Sequence, residues 1–375
     1  MGLTKYYFKE LIELCFIRNS EGVYNEENTI GVNIDKEIRI MKGDSSKKEL
    51  KAFWIVQPGF FVYNPRGSRK LGLGYNDTQN TYITTFNNMI FRVKESATKI
   101  LHPKYLFIYL SRKEWDRKAE FFSWGSSTEV FSWDTFSETE IDLPPLSIQQ
   151  KYVDIYNSMV ANQQCYERGL EDLKLVCEAY IENLRRKTPT QKIGTYLILS
   201  DRRNDMGLTV EKVRGLAISK AMIPTKANMD GVSLNNYKVV LPRQIAYVPD
   251  TSRRGDKVSL GFNDTNDTFL VSSISVVFST DLSTLIPEYL MLFLTRSEFD
   301  RYARFNSWGS AREAFTFDDM CDVEIPIPNI LLQKAIADIF KVYNTRKLIN
   351  ERLKAQIKDI CPILVKGAVE EGAKN

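Results

Sequence analysis

Two short stretches hold the residue types best suited to gripping a polyanion. Tyr63 to Lys70 reads Tyr-Asn-Pro-Arg-Gly-Ser-Arg-Lys, and Tyr247 to Arg254 reads Tyr-Val-Pro-Asp-Thr-Ser-Arg-Arg, 184 residues later. Arg66, Arg69 and Lys70 cluster near Tyr75 in the first, and Arg253, Arg254 and Lys257 near Phe262 in the second. A guanidinium can hold a phosphate, or read guanine through two parallel hydrogen bonds in the major groove. A solvated charged loop is the plainer account of any one of these side chains. The double occurrence favours duplex DNA as the ligand.

Catalytic readings fail in turn. Gly72-Leu73-Gly74 is too short for a dinucleotide loop, and no glycine-rich segment ends in Gly-Lys-Ser/Thr. Asn64-Pro65-Arg66 begins like the tetrapeptide of adenine methyltransferases but lacks the second proline and the aromatic ring that holds a flipped base. Pro249-Asp250 has no Asp/Glu-x-Lys at a usable distance to make a metal-dependent nuclease. The one histidine, His102, precedes Pro103 in an expected exposed loop and cannot alone form a metal site or a nucleophile-base relay. Five cysteines, with no Cys-x-x-Cys pair, fit a reduced compartment. No metal site and no cofactor of its own is expected.

The elements that must position the basic loops are themselves duplicated. Leu143-Pro144-Pro145-Leu146 fixes an extended lead-in, after which 147–187 contains no proline. Apolar positions there step by four and three: Ile148, Tyr152, Ile155, Met159, then Leu173, Val176 and Tyr180, with a weak middle at Asn162, Tyr166 and Gly169. The pattern predicts a helix roughly 60 Å long. After Ile325-Pro326-Ile327-Pro328 the same pattern returns at Leu332, Ile336, Ile339, Tyr343, Leu353, Ile357 and Ile360, with Arg346 and Asn350 at its midpoint. If the two helices pair antiparallel, polar midpoints face each other and fix the register. Apolar flanks such as Val153, Val160, Leu170, Cys177 and Leu184 could serve as docking surface or as core.

Repetition extends to the globular parts. Gly74-Tyr75-Asn76-Asp77 answers Gly261-Phe262-Asn263-Asp264 at an offset of 187, so the second copy carries three extra residues just before this point. Trp115-Asp116-Arg117 matches Phe299-Asp300-Arg301, and Phe121 to Ser126 matches the stretch ending Ser307-Trp308-Gly309-Ser310, both at 184. Short β-rich runs bounded by Gly, Pro and Asn precede a helix, 103–117 or 287–304, and then a Trp-Gly-Ser turn. The fold class expected is therefore α+β, two duplicated globules separated by two long helices in an antiparallel coiled coil. The boundaries expected are 1–145 and 189–328 for the globules, 146–188 and 329–367 for the helices, and 368–375 as a frayed tail.

Duplication also separates roles. Residues common to both units should carry folding or phosphate contact, so Trp124 and Trp308 are expected to pack beside their glycine turns. The divergent stretches 42–51 and 220–238 are the better readers of base edges, with Lys47, Lys48, Lys226, Asn228, Asn235 and Asn236 as donors and acceptors. The whole chain, 375 residues, 43% hydrophobic, 26% charged and +4 in net charge, suits two ordinary domains with only local basic surface. Without a leader or a long apolar run, the chain is expected to be soluble and cytoplasmic, with no membrane partner.

This pattern resembles the specificity subunit of type I restriction-modification enzymes. The likeness is carried by the Trp-Gly-Ser turn, the Phe131 to Asp134 and Phe315 to Asp318 stretches read as strands, and the joint Leu143-Pro-Pro-Leu-Ser-Ile-Gln149-Gln150. The second joint, ending Gln333-Lys334, lacks the Pro-Pro pair and keeps the glutamine. The resemblance implies a non-catalytic chain whose two target recognition domains each read half of a split double-stranded DNA sequence, the helices setting the gap. It further implies two methyltransferase (modification) subunits, transferring methyl from S-adenosylmethionine to adenine N6. Motor-nuclease (restriction) subunits using ATP and Mg2+ would cleave. A competing reading is a coiled-coil scaffold with two modules for a protein or glycan.

Overall fold

The computed structural model describes residues 2–41, 49–66, 70–125, 129–251, 257–309 and 313–374. It divides into two compact units, Met1–Glu167 with Ile349–Asn375, and Arg168–Leu348. Each unit is built on the same plan, strand for strand.

In the first unit a four-stranded antiparallel sheet runs in the order Ile12–Leu14, Met89–Val93, Phe61–Asn64, Gly72–Tyr75. Alternation sorts its side chains. Phe61, Tyr63, Phe91 and Val93 face the main core with Phe8, Tyr105, Trp115 and Phe136, while Val62 and Ile90 face a smaller core with Ile30, Val56 and Phe60. Two-stranded ribbons surround the sheet: Thr4–Tyr7 with Glu140–Leu143, Ile30–Val32 with Ile38–Ile40, and Trp54–Val56 with Tyr82–Thr84.

The second unit repeats this. Its sheet runs Leu197–Ser200, Val276–Thr280, Ile245–Tyr247, Leu260–Phe262. Its ribbons are Thr190–Lys192 with Glu324–Pro326, Arg214–Leu216 with Met222–Pro224, and Lys238–Val240 with Phe269–Val271. Ile245, Tyr247 and Phe278 face one core, and Ala246 and Val277 the other.

Several expectations need correction. The helix expected over 103–117 is two, Pro103–Leu110 and Lys113–Phe122, and that over 287–304 is also two, Pro287–Leu294 and Ser297–Phe305. The stretches Phe131 to Asp134 and Phe315 to Asp318 are not strands, because a hydroxyl caps a helix within each. Ser132 Oγ accepts from Thr135 N at 3.2 Å and Thr316 Oγ1 from Asp319 N at 3.2 Å, starting Trp133–Ser137 and Phe317–Cys321. His102 is no exposed loop residue. It caps Pro103–Leu110 through Nδ1, 3.1 Å from Lys104 N, and its burial lowers its pKa.

The long helices are Leu146–Lys187 and Ile330–Lys374. The tail expected to fray is helical instead, since Ala368 is fully buried and Val369 packs on the first core. The seam assigned from heptads is out of phase in places. Ile155, Val176, Tyr180 and Leu332 are exposed; Ile148 and Ile336 are buried; Tyr152, Met159, Leu173, Ile339, Tyr343, Leu353, Ile357 and Ile360 are half-buried. The buried face is wider than one seam because each half-helix also packs on its own globule. Thus Val153 and Tyr156 join the first core beside Cys361, Leu364 and Val365, while Ile181 and Leu184 join the second beside Ile336 and Ala337. Val153, Leu170 and Leu184 are buried and Val160 and Cys177 half-buried, which leaves them little role as docking surface.

Within the first unit the helices run antiparallel. Lys151 Nζ meets Glu371 at 2.8 Å, and Gln163 Nε2 donates to Asn350 Oδ1 at 2.9 Å. The polar crossing uses Asn350 as expected, but Gln163 in place of the exposed Asn162.

Candidate nucleic-acid interface

The basic loops leave the central sheets at Asn64 and Tyr247 and return at Leu71 and Val258. Arg66, Lys70 and Lys257 are exposed, and among the described residues none forms an ion pair within 4 Å. Arg69, Arg253 and Arg254 lie outside the described residues, as do Lys47 and Lys48. Asn64 Oδ1 accepts from Arg66 N at 2.9 Å, an Asx turn that starts the first loop.

A buried clamp closes each loop at its base, and sequence reasoning missed its role. Lys36 Nζ donates to the Leu71 carbonyl and to Asp116 Oδ1, 2.5 Å away; Asp116 Oδ1 also accepts from Leu71 N at 3.2 Å. In the second unit Lys220 Nζ donates to Val258 O at 2.9 Å and Asp300 Oδ1 at 2.5 Å, and Asp300 Oδ1 accepts from Val258 N at 3.0 Å. Both lysines take the left-handed conformation, φ 63° and 64°. Burial pulls both amines below their usual pKa while the aspartates pull them back up. The aspartate identity was visible in the repeat; a partner 80 residues away was not.

The clamp lysines sit in the closed turns of the ribbons Ile30–Val32/Ile38–Ile40 and Arg214–Leu216/Met222–Pro224. Each ribbon lies so close over the sheet that only glycine fits beneath. A Cβ on Gly74 would be 2.5 Å from Ile38 Cγ1, and one on Gly261 would be 2.6 Å from Met222 Cγ. The divergent stretches leave from the opposite, open end of each ribbon, after Met41 and Pro224. Three-residue strands place that end about 10 Å from the turn. The structure therefore brings Lys220 to the basic loop, while Lys226, Asn228, Asn235 and Asn236 lie in the segment that follows the open end of the ribbon. All four are exposed, and Asn228 Oδ1 is engaged by Asp230 N at 3.0 Å.

The Trp-Gly-Ser turns lie beside the same loops. Phe131 N donates to Pro65 O at 2.8 Å, and Phe315 N to Pro249 O at 2.9 Å. Trp124 and Trp308 were expected to be packed; they are 76% and 70% exposed. The rings that fill the site expected of them are Phe131 and Phe315. At the other end of each unit a buried glutamine ties the long helix to its globule. Gln149 Nε2 donates to Ile100 O and Pro144 O, and its Oε1 accepts from His102 N; Gln333 makes the same set with Thr284 O, Pro328 O and Ile286 N.

Burial pushes the Cys361 thiol up to about 12 and raises those of Cys15, Cys177 and Cys321. Among the described residues no three His, Cys, Asp or Glu side chains are grouped to hold a metal, and no helix is long and apolar enough to cross a membrane.

The family model for the type I restriction modification DNA specificity domain matches this chain twice, over residues 68–170 and 251–359. Both matches begin in a basic loop and run into a long helix. Among solved structures, the S subunit of a type I restriction-modification system from M. genitalium is similar in fold. It shares 12% identity and a TM-score of 0.64, with 98% of this chain and 96% of that one covered. The HsdS subunit from Thermoanaerobacter tengcongensis aligns over 98% and 96% at 13% identity, with a TM-score of 0.39. Among curated proteins none matches this sequence.

Proposed function

The chain belongs to the type I restriction-modification DNA specificity family, and from that premise we propose that each unit binds duplex DNA and reads one half of a split target. The observation that carries this reading is a basic loop closed by the same buried Lys-Asp clamp in both units, with different residues inside the loop. A framework held constant around variable loops suits two readers of different sequences. The long helices would set the gap between the half-sites.

On this reading the chain supplies recognition and no bond chemistry. Two methyltransferase subunits would bring S-adenosylmethionine and methylate adenine N6. Motor-nuclease subunits would bring ATP- and Mg2+-dependent cleavage, all in the cytoplasm. The test is to map N6-methyladenine in a host carrying this chain with its methyltransferase. A bipartite motif is expected, one half changing when 1–145 is exchanged and the other when 189–328 is exchanged. A continuous motif, or DNA cleavage by the purified chain with magnesium alone, would overturn the proposal.

A further inference from the structure

Four aromatic rings stand out of this protein where nothing in the fold requires them. Phe121 and Trp124 in the first unit are 74% and 76% exposed; Phe305 and Trp308, their counterparts 184 residues on, are 79% and 70% exposed. Each tryptophan sits in an isolated backbone bridge. Trp124 exchanges backbone hydrogen bonds with Val130, and Trp308 with Ala314. The glycine after each takes a positive φ, 155° and 143°, that a side chain would resist. Each phenylalanine lies in the last turn of the short helix just before, with an exposed arginine one turn earlier, Arg117 or Arg301.

The surroundings choose among occupants for these rings. Each ring-bearing helix starts against a long helix and ends at a basic loop. In the first unit Lys113, at the start of Lys113–Phe122, pairs with Asp359 of the C-terminal helix at 3.1 Å. In the second, Arg296 and Glu298, at the start of Ser297–Phe305, feel the charges of Glu182 and Arg185. Ten residues of helix in the first unit and nine in the second then carry the rings about 15 Å away, toward the Phe131 and Phe315 backbone bonded to Pro65 O and Pro249 O, next to the basic loop. The rings thus stand at the loop end of their helices, with exposed Arg66 and Arg117 on the same stretches in the first unit and Arg301 in the second, where Asp250 and the Arg304–Glu313 pair also lie close to Trp308. Because they are identical in both units while the divergent stretches differ, their partner must present the same surface to both.

We propose that Phe121 with Trp124, and Phe305 with Trp308, lay their rings on the sugars and bases of duplex DNA beside each basic loop. This is a contact that holds without reading sequence. The inference rests on the DNA reading above. In a duplex the base faces are stacked on one another, so the rings pack on deoxyribose or wedge at a base step without selecting a base, and the flanking Arg117 and Arg301 supply charge for the adjoining phosphates.

The test uses the full chain and its Trp124→Ala, Trp308→Ala, Arg117→Ala and Arg301→Ala variants. Binding to a 40-base-pair duplex, with and without the mapped target, is measured across a salt series. Each Trp→Ala variant should bind both duplexes at least about fivefold more weakly with an unchanged salt slope, since a neutral ring releases no counterion. Each Arg→Ala variant should lower the slope by about one. Trp→Phe variants should restore most of the affinity, and unfolding midpoints should stay put because the rings are exposed. Trp308, the sole tryptophan of 168–348, should account for a share of the fluorescence quenched by DNA. If the wild type binds DNA and both Trp→Ala variants bind as tightly, the ring contact is overturned while the DNA reading stands. If the variants keep DNA but lose the methyltransferase subunit, the rings dock a protein and the inference is equally overturned. A wild type without salt-dependent binding would remove both.

Discussion

The buried glutamines give the strongest quantitative prediction, because the same cradle was built twice. Gln333 Nε2 lies 2.7 Å from Thr284 O and 2.8 Å from Pro328 O, and its Oε1 is 3.0 Å from Ile286 N. For Gln149 the corresponding distances are 2.8, 2.8 and 2.9 Å. Both side chains are fully buried. Replacing either with leucine keeps the approximate volume but strands two carbonyls and one N–H away from water. Most of these groups sit on half-buried residues, so the low end of the range applies; at about 1–1.5 kcal/mol for each of the three, less about 1 kcal/mol regained from the apolar side chain, the net loss is about 3 kcal/mol. For a unit of this size that lowers the melting temperature by roughly 6–12 °C.

Calorimetry on Gln149→Leu and Gln333→Leu measures it. Each variant should depress one unit's transition, by similar amounts, because the two sets of distances agree to about 0.1 Å. A loss under about 1 kcal/mol in both would refute the reasoning, by showing that the stranded groups find other partners. A large loss in only one would show that the cradles are alike in geometry and not in energy. The glutamine would then not be what fixes the helix start to its globule.

Three further outcomes follow from the framework. Gly261→Ala should destabilise by about 1–3 kcal/mol in urea and by more than Gly74→Ala. Its added Cβ would press on the Met222 and Ala221 backbone at 3.0 and 3.2 Å, whereas Gly74 meets only side chains that can shift. Lys220→Met should cost about 3–5 kcal/mol and exceed Lys36→Met. Asp300, left without its cation, is 10% exposed against 23% for Asp116, so less water can replace the amine. Glu298, hydrogen-bonded to Arg296, has its pKa lowered from 4.5 to about 2. A depressed carboxylate stabilises the fold above its unfolded value and loses that contribution as pH falls, here between about 4.5 and 2. The urea midpoint should therefore fall over that window in the wild type and less in Glu298→Gln; equal slopes would count against the pairing.

The duplicated plan and the proline-led long helices were legible because both are patterns along the chain. What escaped depended on distance across it. A heptad count selected Ile155 and Val176, yet the wall that buries the helix is the globule as well as its partner helix, so Val153, Tyr156 and Ile181 face inward instead. Trp124 and Trp308 were read as packed because a ring beside glycine usually is, and exposure leaves no trace in composition. Lys220 fell in a stretch assigned to base reading, and its partner Asp300 lay 80 residues on.

The comparison of the two copies explains how the loops can differ at all. Between the equivalent sheet residues Tyr63 and Tyr247 and the clamp, the second copy is three residues longer, yet Val258 meets Lys220 and Asp300 as Leu71 meets Lys36 and Asp116. The extra length is absorbed inside the clamped segment, and the sheet beyond resumes the same pairing, Tyr63 with Leu73 and Tyr247 with Leu260. Loop-closure entropy grows only slowly with length, so a few residues more cost a fraction of a kcal/mol once the base is fixed. A buried ion pair that adds little net stability still fixes where the loop begins and ends. That separates framework from loop: the residues within the clamp are free to change in number and kind while the clamp, the close-packed glycine and the helix-tethering glutamine stay the same.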